Sequence, residues 1–124
     1  MKKMKGARKM LFLQYPPCST CQKAKKWLDE HELSYTDRHI KENSPTYEEL
    51  KAWYQRSGLP LKKFFNTSGF VYKSLSLKEK LPGMSEEEQL RLLATDGMLV
   101  KRPLLVTEDT VLVGFKMAEW ERLL

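Results

Sequence analysis

The segment MLFLQYPPCSTCQKAKKWL, residues 10–28, constrains the fold more than any other stretch of this 124-residue chain. The apolar run at residues 8–15 is ended by two prolines, and it predicts a strand with both faces buried. Residues 19–31 place apolar side chains at helical spacing, and residues 34–40 predict a second strand. This order of strand, helix and strand predicts a β–α–β unit whose two strands run parallel.

The rest of the chain predicts helices and one further pair of strands. Thr46 and Glu49 have the spacing of a capping box, and Gly58 follows the same helical pattern, so residues 43–58 predict a helix. Other predicted elements are a short helix at 59–65, a turn at 66–69, a helix at 85–97, a hairpin of two strands at 103–115 and a helix at 117–124. We therefore predict a single α/β domain over residues 1–124, with a mixed four-stranded sheet, flanking helices and a helical insertion at about residues 45–97.

The net charge of +6 is concentrated at the N-terminus. The first ten residues hold five lysines and arginines and no acid, while the other 114 residues carry 17 basic and 16 acidic residues. We interpret residues 1–8 as a basic arm, and direct nucleic-acid binding is not expected of the nearly neutral remainder. No apolar run approaches the ~18 residues of a membrane span, and the run behind the basic start is too short for a signal peptide, so we expect no membrane association and a cytoplasmic protein.

Cys18 and Cys21 are the only cysteines in the chain. At the start of a helix that follows a strand, the first cysteine is favoured as an exposed thiolate and the second is close enough to resolve a mixed disulfide. A zinc site would need His31 and His39, whose spacing is wider than usual for zinc, and an inert packing pair is the plainest alternative. The context favours a redox pair and no bound metal, with both alternatives left open.

Four segments carry a resemblance to a known family: YPPCSTCQKAKKWL (15–28), FFNTSGFVYKSL (64–75), DGMLVKRPLLV (96–106) and VLVGFKMAEWERLL (111–124). In this order they resemble the active-site segment, the central loop, the Arg-Pro segment and the closing strand and helix of the arsenate reductase-like branch of the thioredoxin superfamily. That branch includes ArsC-type arsenate reductases coupled to glutaredoxin and the Spx transcriptional regulators. The resemblance covers nearly the whole chain, and it implies a thioredoxin-like sheet with a helical insertion.

The resemblance also implies roles for residues outside the cysteine segment. Pro103 is expected to follow a cis peptide bond that brings Arg102 to the cysteines, and Arg102 is expected to stabilise an anionic substrate or thiolate. Two further oxyanion-holding positions fall at Lys62, with Lys63 an adjacent possibility, and at Lys116. Asn66 and Thr67 are expected to line the active-site groove, whereas composition alone makes them ordinary turn formers.

Two departures from the arsenate reductases shape the functional hypothesis. Lysine replaces arginine at two of the three oxyanion positions, and a lysine is a point charge where arginine offers a planar fork. The ArsC-type enzyme works with one cysteine and glutathione, whereas this chain has Cys21 as a second thiol. We therefore predict a thiol–disulfide oxidoreductase acting on a disulfide or an oxyanion, with no bound cofactor.

The electron donor in this hypothesis is glutathione, glutaredoxin or thioredoxin. The alternative is a redox-sensing regulator of the Spx type that binds the C-terminal domain of the RNA polymerase alpha subunit, and a degenerate scaffolding member is a third possibility. Since the sequence carries no long apolar stripe left exposed, we expect a monomer.

Overall fold

The computed structural model describes residues 9–124, so the predicted basic arm lies outside the described residues. The strands are β1 (Leu11–Gln14), β2 (Thr36–His39), β3 (Leu104–Val106) and β4 (Val111–Val113). The α-helices are α1 (Ser19–Glu30), α2 (Tyr47–Ser57), α3 (Phe70–Ser74), α4 (Leu77–Lys80), α5 (Glu86–Leu93) and α6 (Met117–Trp120). Short 3₁₀ turns lie at Leu61–Phe64, Leu81–Gly83, Gly97–Leu99 and Glu121–Leu123. Within the described residues, no helix is long and apolar enough to cross a membrane.

The described chain divides into two compact units, and the four strands lie in the first. This unit is the described part of Met1–His39 together with Arg102–Leu124. Its sheet has the order β2-β1-β3-β4, in which β1 and β2 are parallel and the other two pairs are antiparallel. The predicted parallel pair, the hairpin and the mixed four-stranded sheet are therefore confirmed, while the single-domain boundary over residues 1–124 stays a prediction.

Two helices bury their apolar faces against one side of this sheet. Phe12 of β1 pairs with Leu105 of β3, and both side chains are fully buried in one cluster. Helix α1 contributes Trp27 to the cluster, and α6 contributes Trp120. The indole Nε1–H of Trp120 donates to the carbonyl of Gly114 at 3.1 Å, so the polar edge of this buried ring is satisfied. This packing fixes α1, the helix that carries both cysteines.

Polar contacts tie the exposed side of α1 to β2. The Lys25 ammonium lies 3.3 Å from the Asp37 carboxylate and donates to the Tyr35 hydroxyl at 2.8 Å. The other oxygen of Asp37 accepts from the amide of Gln14, which is buried at the end of β1. These contacts link the middle of α1 to β2, and β2 to the end of β1.

The second unit, Ile40–Lys101, is helical and follows its capping signals. Thr46 forms the predicted capping box with Glu49 at the start of α2, and Gly58 ends that helix with a φ of 69°. Ser85 forms a second capping box at the start of α5. Phe65 and Val100 form an isolated antiparallel bridge inside this unit.

The short helix predicted at 59–65 is present as a 3₁₀ helix at Leu61–Phe64. One predicted helix in this unit needs correction. The helix predicted at 85–97 stops at Leu93, and Gly97 lies in a separate turn. A Cβ on Gly97 would lie 1.9 Å from the carbonyl oxygen of Ile40, so this glycine allows a close backbone approach and does not end the helix.

Candidate active site at the start of helix α1

Cys18 occupies the position just before the first turn of α1. Its N–H donates to the carbonyl of Tyr15 at 2.9 Å, and its own carbonyl accepts from Gln22 at 3.0 Å. The side chain makes no capping hydrogen bond, and the first turn of the helix contains no acidic residue. The sulfur is therefore near the positive end of the helix with no carboxylate of that turn to compete for it.

The surroundings of Cys18 favour its thiolate. Partial burial alone would raise the pKa of Cys18, but this effect is outweighed by hydrogen bonding from the backbone and side chain of Cys21 and by hydrogen bonding and charge from Arg102. The net result is a pKa below the ordinary value of 9.0. A lowered pKa increases the thiolate fraction near neutral pH, and the thiolate is the nucleophilic form.

Cys21, one turn into α1, has the opposite character. Its side chain is fully buried, and the N–H of Tyr15 points at its sulfur with an N···S distance of 3.5 Å. Burial raises the pKa of Cys21 to about 12, and the neighbouring Cys18 adds to the rise. Both cysteines are free thiols in this structure. The site therefore pairs a partly exposed acidic thiol with a buried thiol that stays protonated.

Arg102 reaches this site from the start of β3. The Arg102–Pro103 peptide is cis, as the family resemblance implied, and the carbonyl of Pro103 accepts from Gly114 at 2.8 Å. The guanidinium carbon of Arg102 lies 5.0 Å from the centroid of the Tyr15 ring. Its Nε and Nη1 atoms are buried and have no hydrogen-bond partner among the described residues. Two of the guanidinium donors are thus left without a hydrogen bond within residues 9–124.

Tyr15 is the site residue that the sequence analysis missed. It contacts Cys18 and Cys21 through its backbone and Arg102 through its ring. In sequence it looks like the last residue of a buried strand. Its position before the two prolines, three residues ahead of Cys18, was the signal that could have drawn attention to it.

The two histidines weighed as metal ligands pack against aromatic rings. The His31 ring is centred 4.2 Å from Trp27, and its Nδ1 lies 2.9 Å from the Trp27 carbonyl. The His39 ring meets the Tyr15 ring edge to face at 5.7 Å. In residues 9–124 no group of three or more histidine, cysteine, aspartate or glutamate side chains is arranged to hold a metal ion.

The remaining predicted site residues fall in different places. Lys116 belongs to the first unit, where it is exposed and precedes α6 without a side-chain capping hydrogen bond. Lys62, Asn66 and Thr67 belong to the second unit. Lys62 is exposed and lines a cavity of about 200 Å³. Asn66 donates its backbone N–H to Leu99 at 2.7 Å, and Thr67 is exposed. The structure thus brings Cys18, Cys21 and Arg102 together.

Comparison with known proteins places this chain in a family. The model of the ArsC family matches residues 13–123. The Bacillus subtilis protein named Uncharacterized protein YusI is 59% identical over 112 residues, which are 90% of this chain and 95% of that protein. Regulatory protein MgsR of Bacillus subtilis is 30% identical, over 90% of this chain and 87% of that protein. Global transcriptional regulator Spx of Enterococcus faecalis is also 30% identical, over 88% of this chain and 81% of that protein.

Solved structures agree with the sequence comparison. A putative ArsC family related protein from Bacteroides fragilis has 69% identity and a TM-score of 0.91, covering 93% of this chain and 97% of that one. A possible arsenate reductase from Streptococcus mutans has 46% identity and a TM-score of 0.85, covering 91% and 96%. The chain belongs to the ArsC family, and the proteins similar to it include one named a possible arsenate reductase and others named as regulators.

Proposed function

We propose that this protein is a thiol–disulfide oxidoreductase in which Cys18 is the nucleophile and Cys21 the resolving thiol. The observation that carries the proposal is the opposite shift of the two thiols at one helix start. The pKa of Cys18 is lowered by Cys21 and Arg102 against the effect of burial, whereas burial raises the pKa of Cys21 to about 12. An inert packing pair would have no reason to hold one thiol acidic and partly exposed.

In the first step the Cys18 thiolate attacks one sulfur of a substrate disulfide. A new S–S bond forms between Cys18 and that sulfur, the substrate S–S bond breaks, and the other substrate sulfur leaves as a thiolate. Arg102 stabilises the negative charge before the attack, since its guanidinium acts on Cys18. The charge then moves from Cys18 to the leaving sulfur.

In the second step Cys21 loses its proton and attacks the Cys18 sulfur. The bound substrate sulfur leaves as a thiolate, and a Cys18–Cys21 disulfide remains, so the substrate has gained two electrons and the protein has lost them. A reduced thiol donor such as glutathione, glutaredoxin or thioredoxin then restores both thiols. Because burial keeps Cys21 protonated, we expect this step to be slower than the first.

We infer the substrate class from the residues at the three oxyanion positions of the family pattern. Arg102 alone supplies a planar guanidinium, and the other two family positions carry Lys62 and Lys116. Lysine binds an anion as a point charge and cannot match two oxygens with a rigid fork. We therefore favour a disulfide over arsenate as the oxidised substrate, and we expect arsenate reduction to be weak.

The test uses Cys18→Ser and Cys21→Ser beside the unchanged protein. Reduced samples are equilibrated in glutathione buffers of increasing potential, trapped with an alkylating reagent and weighed by mass spectrometry. We expect a reversible loss of two thiols in the unchanged protein. Cys21→Ser should accumulate a mixed disulfide with glutathione at Cys18, and Cys18→Ser should accumulate none.

Two results would overturn the proposal. One is an unchanged protein that never forms the Cys18–Cys21 disulfide across the buffer series. The other is equal mixed-disulfide formation on both single variants, because this would remove the distinction between nucleophile and resolving thiol. The reduction rates of arsenate and of a small disulfide, measured with the same electron donor, show which of the two substrate classes the protein reduces.

A redox-sensing regulator is the second candidate, and the relatives named Spx and MgsR favour it. In this case the same disulfide chemistry would switch the binding of the C-terminal domain of the RNA polymerase alpha subunit. Binding of that purified domain is measured with the protein fully reduced and fully oxidised. Binding in one redox state and not the other supports the regulator, and no binding in either state removes it.

A further inference from the structure

Tyr15 makes contacts with every other member of the cysteine site. Its carbonyl accepts from Cys18 at 2.9 Å, and its N–H lies 3.5 Å from the Cys21 sulfur. The guanidinium of Arg102 lies over its ring at 5.0 Å, and His39 packs edge to face against the same ring at 5.7 Å. The backbone contacts survive any substitution except proline, so the ring contributes something that can be tested separately.

A guanidinium stacked on an aromatic ring keeps its N–H groups free to donate hydrogen bonds. The attraction acts between the ring face and the flat face of the cation, while the N–H groups of arginine point outward in its own plane. A guanidinium that rests on a ring is therefore held without using its hydrogen bonds. Arg102 lies over the Tyr15 ring, and its Nε and Nη1 are buried without a partner among residues 9–124.

The absence of an acidic partner makes the ring contact more important. Within residues 9–124, Arg102 forms no ion pair and no hydrogen bond with a carboxylate. A carboxylate would hold the guanidinium firmly but would also cancel the charge that a thiolate needs. An aromatic face holds the cation in place with only a weak opposing field.

We propose that the Tyr15 ring is a positioning residue of the cysteine site, which seats the Arg102 guanidinium so that its donors face Cys18 and an incoming anion. This inference rests on the proposed function, since it assigns the ring a part in activating the Cys18 thiolate. The charged or titratable groups that bear on Cys18 within this unit are Arg102 from the start of β3 and Cys21 from α1, with His39 from β2 acting on the ring.

The experiment measures the pH dependence of Cys18 alkylation by iodoacetamide in a Cys21→Ser background, where only one thiol remains. Tyr15→Leu removes the aromatic face, and Tyr15→Phe keeps it without the hydroxyl. Tyr47→Leu is the matched control, because Tyr47 is also a partly buried tyrosine with a guanidinium over its ring, that of Arg91 at 4.4 Å. Arg102→Met and the double variant Tyr15→Leu/Arg102→Met complete a cycle.

We expect Tyr15→Leu to move the alkylation midpoint to higher pH and to slow alkylation at pH 7 by about fivefold, the order of effect of one cation–π contact. Tyr15→Phe and Tyr47→Leu should stay within about twofold of the reference, on the same scale. The double variant should react no more slowly than Arg102→Met alone, because the ring acts through the arginine. Circular dichroism and urea midpoints check that each variant is folded.

The outcomes distinguish a failure of the proposed function from a failure of the Tyr15 role. If Cys18 in the reference protein titrates like an ordinary thiol, the proposed function fails with the inference that rests on it. If the reference titrates at low pH and Tyr15→Leu does not change it, only the positioning role is overturned. Equal effects of Tyr15→Phe and Tyr15→Leu would assign the effect to the hydroxyl and also overturn it. A further loss in the double variant would mean that the ring acts independently of Arg102.

Discussion

Replacing Cys21 with alanine should change how the stability of the reduced protein depends on pH. The pKa of Cys21 rises from 9.0 to about 12 on folding because the thiol is buried. Above pH 9 the unfolded chain therefore releases a proton that the folded protein keeps, so the free energy of unfolding falls as the pH rises toward 12. Cys21→Ala removes this contribution and also the hydrogen bond by which the Cys21 side chain lowers the pKa of Cys18, so the comparison is repeated below without Cys18.

The size of the effect follows from the two pKa values. At pH 7.5 the thiol is protonated in both states, and Cys21→Ala should cost about 1–2 kcal/mol for the lost sulfur in a fully buried position. At pH 10.5, about 1.5 units above the unfolded value, the unchanged protein should have lost about 2 kcal/mol through this group. The alanine variant should then be as stable as the unchanged protein or more stable.

Urea denaturation in a phosphine reductant at pH 7.5, 9 and 10.5 measures this difference. The same comparison in a Cys18→Ser background separates burial from the charge of Cys18, because burial is the larger cause and the pH dependence should persist. A stability difference between the two proteins that stays constant from pH 7.5 to 10.5 would refute the reasoning. Loss of the pH dependence in the Cys18→Ser background would assign it to the Cys18 thiolate instead.

Two further predictions concern packing and are measured by urea denaturation. Gly97→Ala should lower the free energy of unfolding by more than about 2 kcal/mol, because the added Cβ would lie 1.9 Å from the Ile40 carbonyl oxygen. The control Gly83→Ala, whose Cβ would have nothing within 4 Å, should change it by less than about 0.5 kcal/mol. Similar losses for both variants would contradict the close approach at Gly97. Trp120→Phe should cost roughly 2–3 kcal/mol, since it deletes the 3.1 Å hydrogen bond to Gly114 and opens a cavity in the core cluster; a cost below about 1 kcal/mol would contradict that assignment.

Local signals in the sequence were enough to place the long elements. The Thr46 capping box and the glycine at 58 fixed the ends of α2, because each satisfies helix-end groups with neighbours in sequence. Helices α3 and α4 were missed because five and four residues are too short to show a helical period. The helix predicted at 85–97 was too long because Gly97 was predicted to end it. The missing side chain of Gly97 instead allows a contact with Ile40, which is distant in sequence.

In the cysteine site, too, local patterns predicted some residues, and others depend on contacts between distant parts of the chain. The order of Cys18 and Cys21 at a helix start was readable from spacing alone, whereas Arg102 comes from the other end of the chain and was named only through the family resemblance. Nothing in the spacing of residues predicts which ring a distant guanidinium will rest on. Tyr15 was therefore missed, although it lies three residues from Cys18.

The difference between the two thiols follows from where the helix faces the core. Cys21, Ala24 and Leu28 recur at intervals of three and four residues, so they form one stripe of α1, and all three are fully buried. Cys18 precedes the first turn and lies outside that stripe. The packing that fixes α1 on the sheet therefore also shields the second thiol and leaves the first accessible. In the proposed chemistry the fold supplies the division between nucleophile and resolving thiol: Arg102 acts to lower the pKa of both, but at Cys21 burial outweighs it.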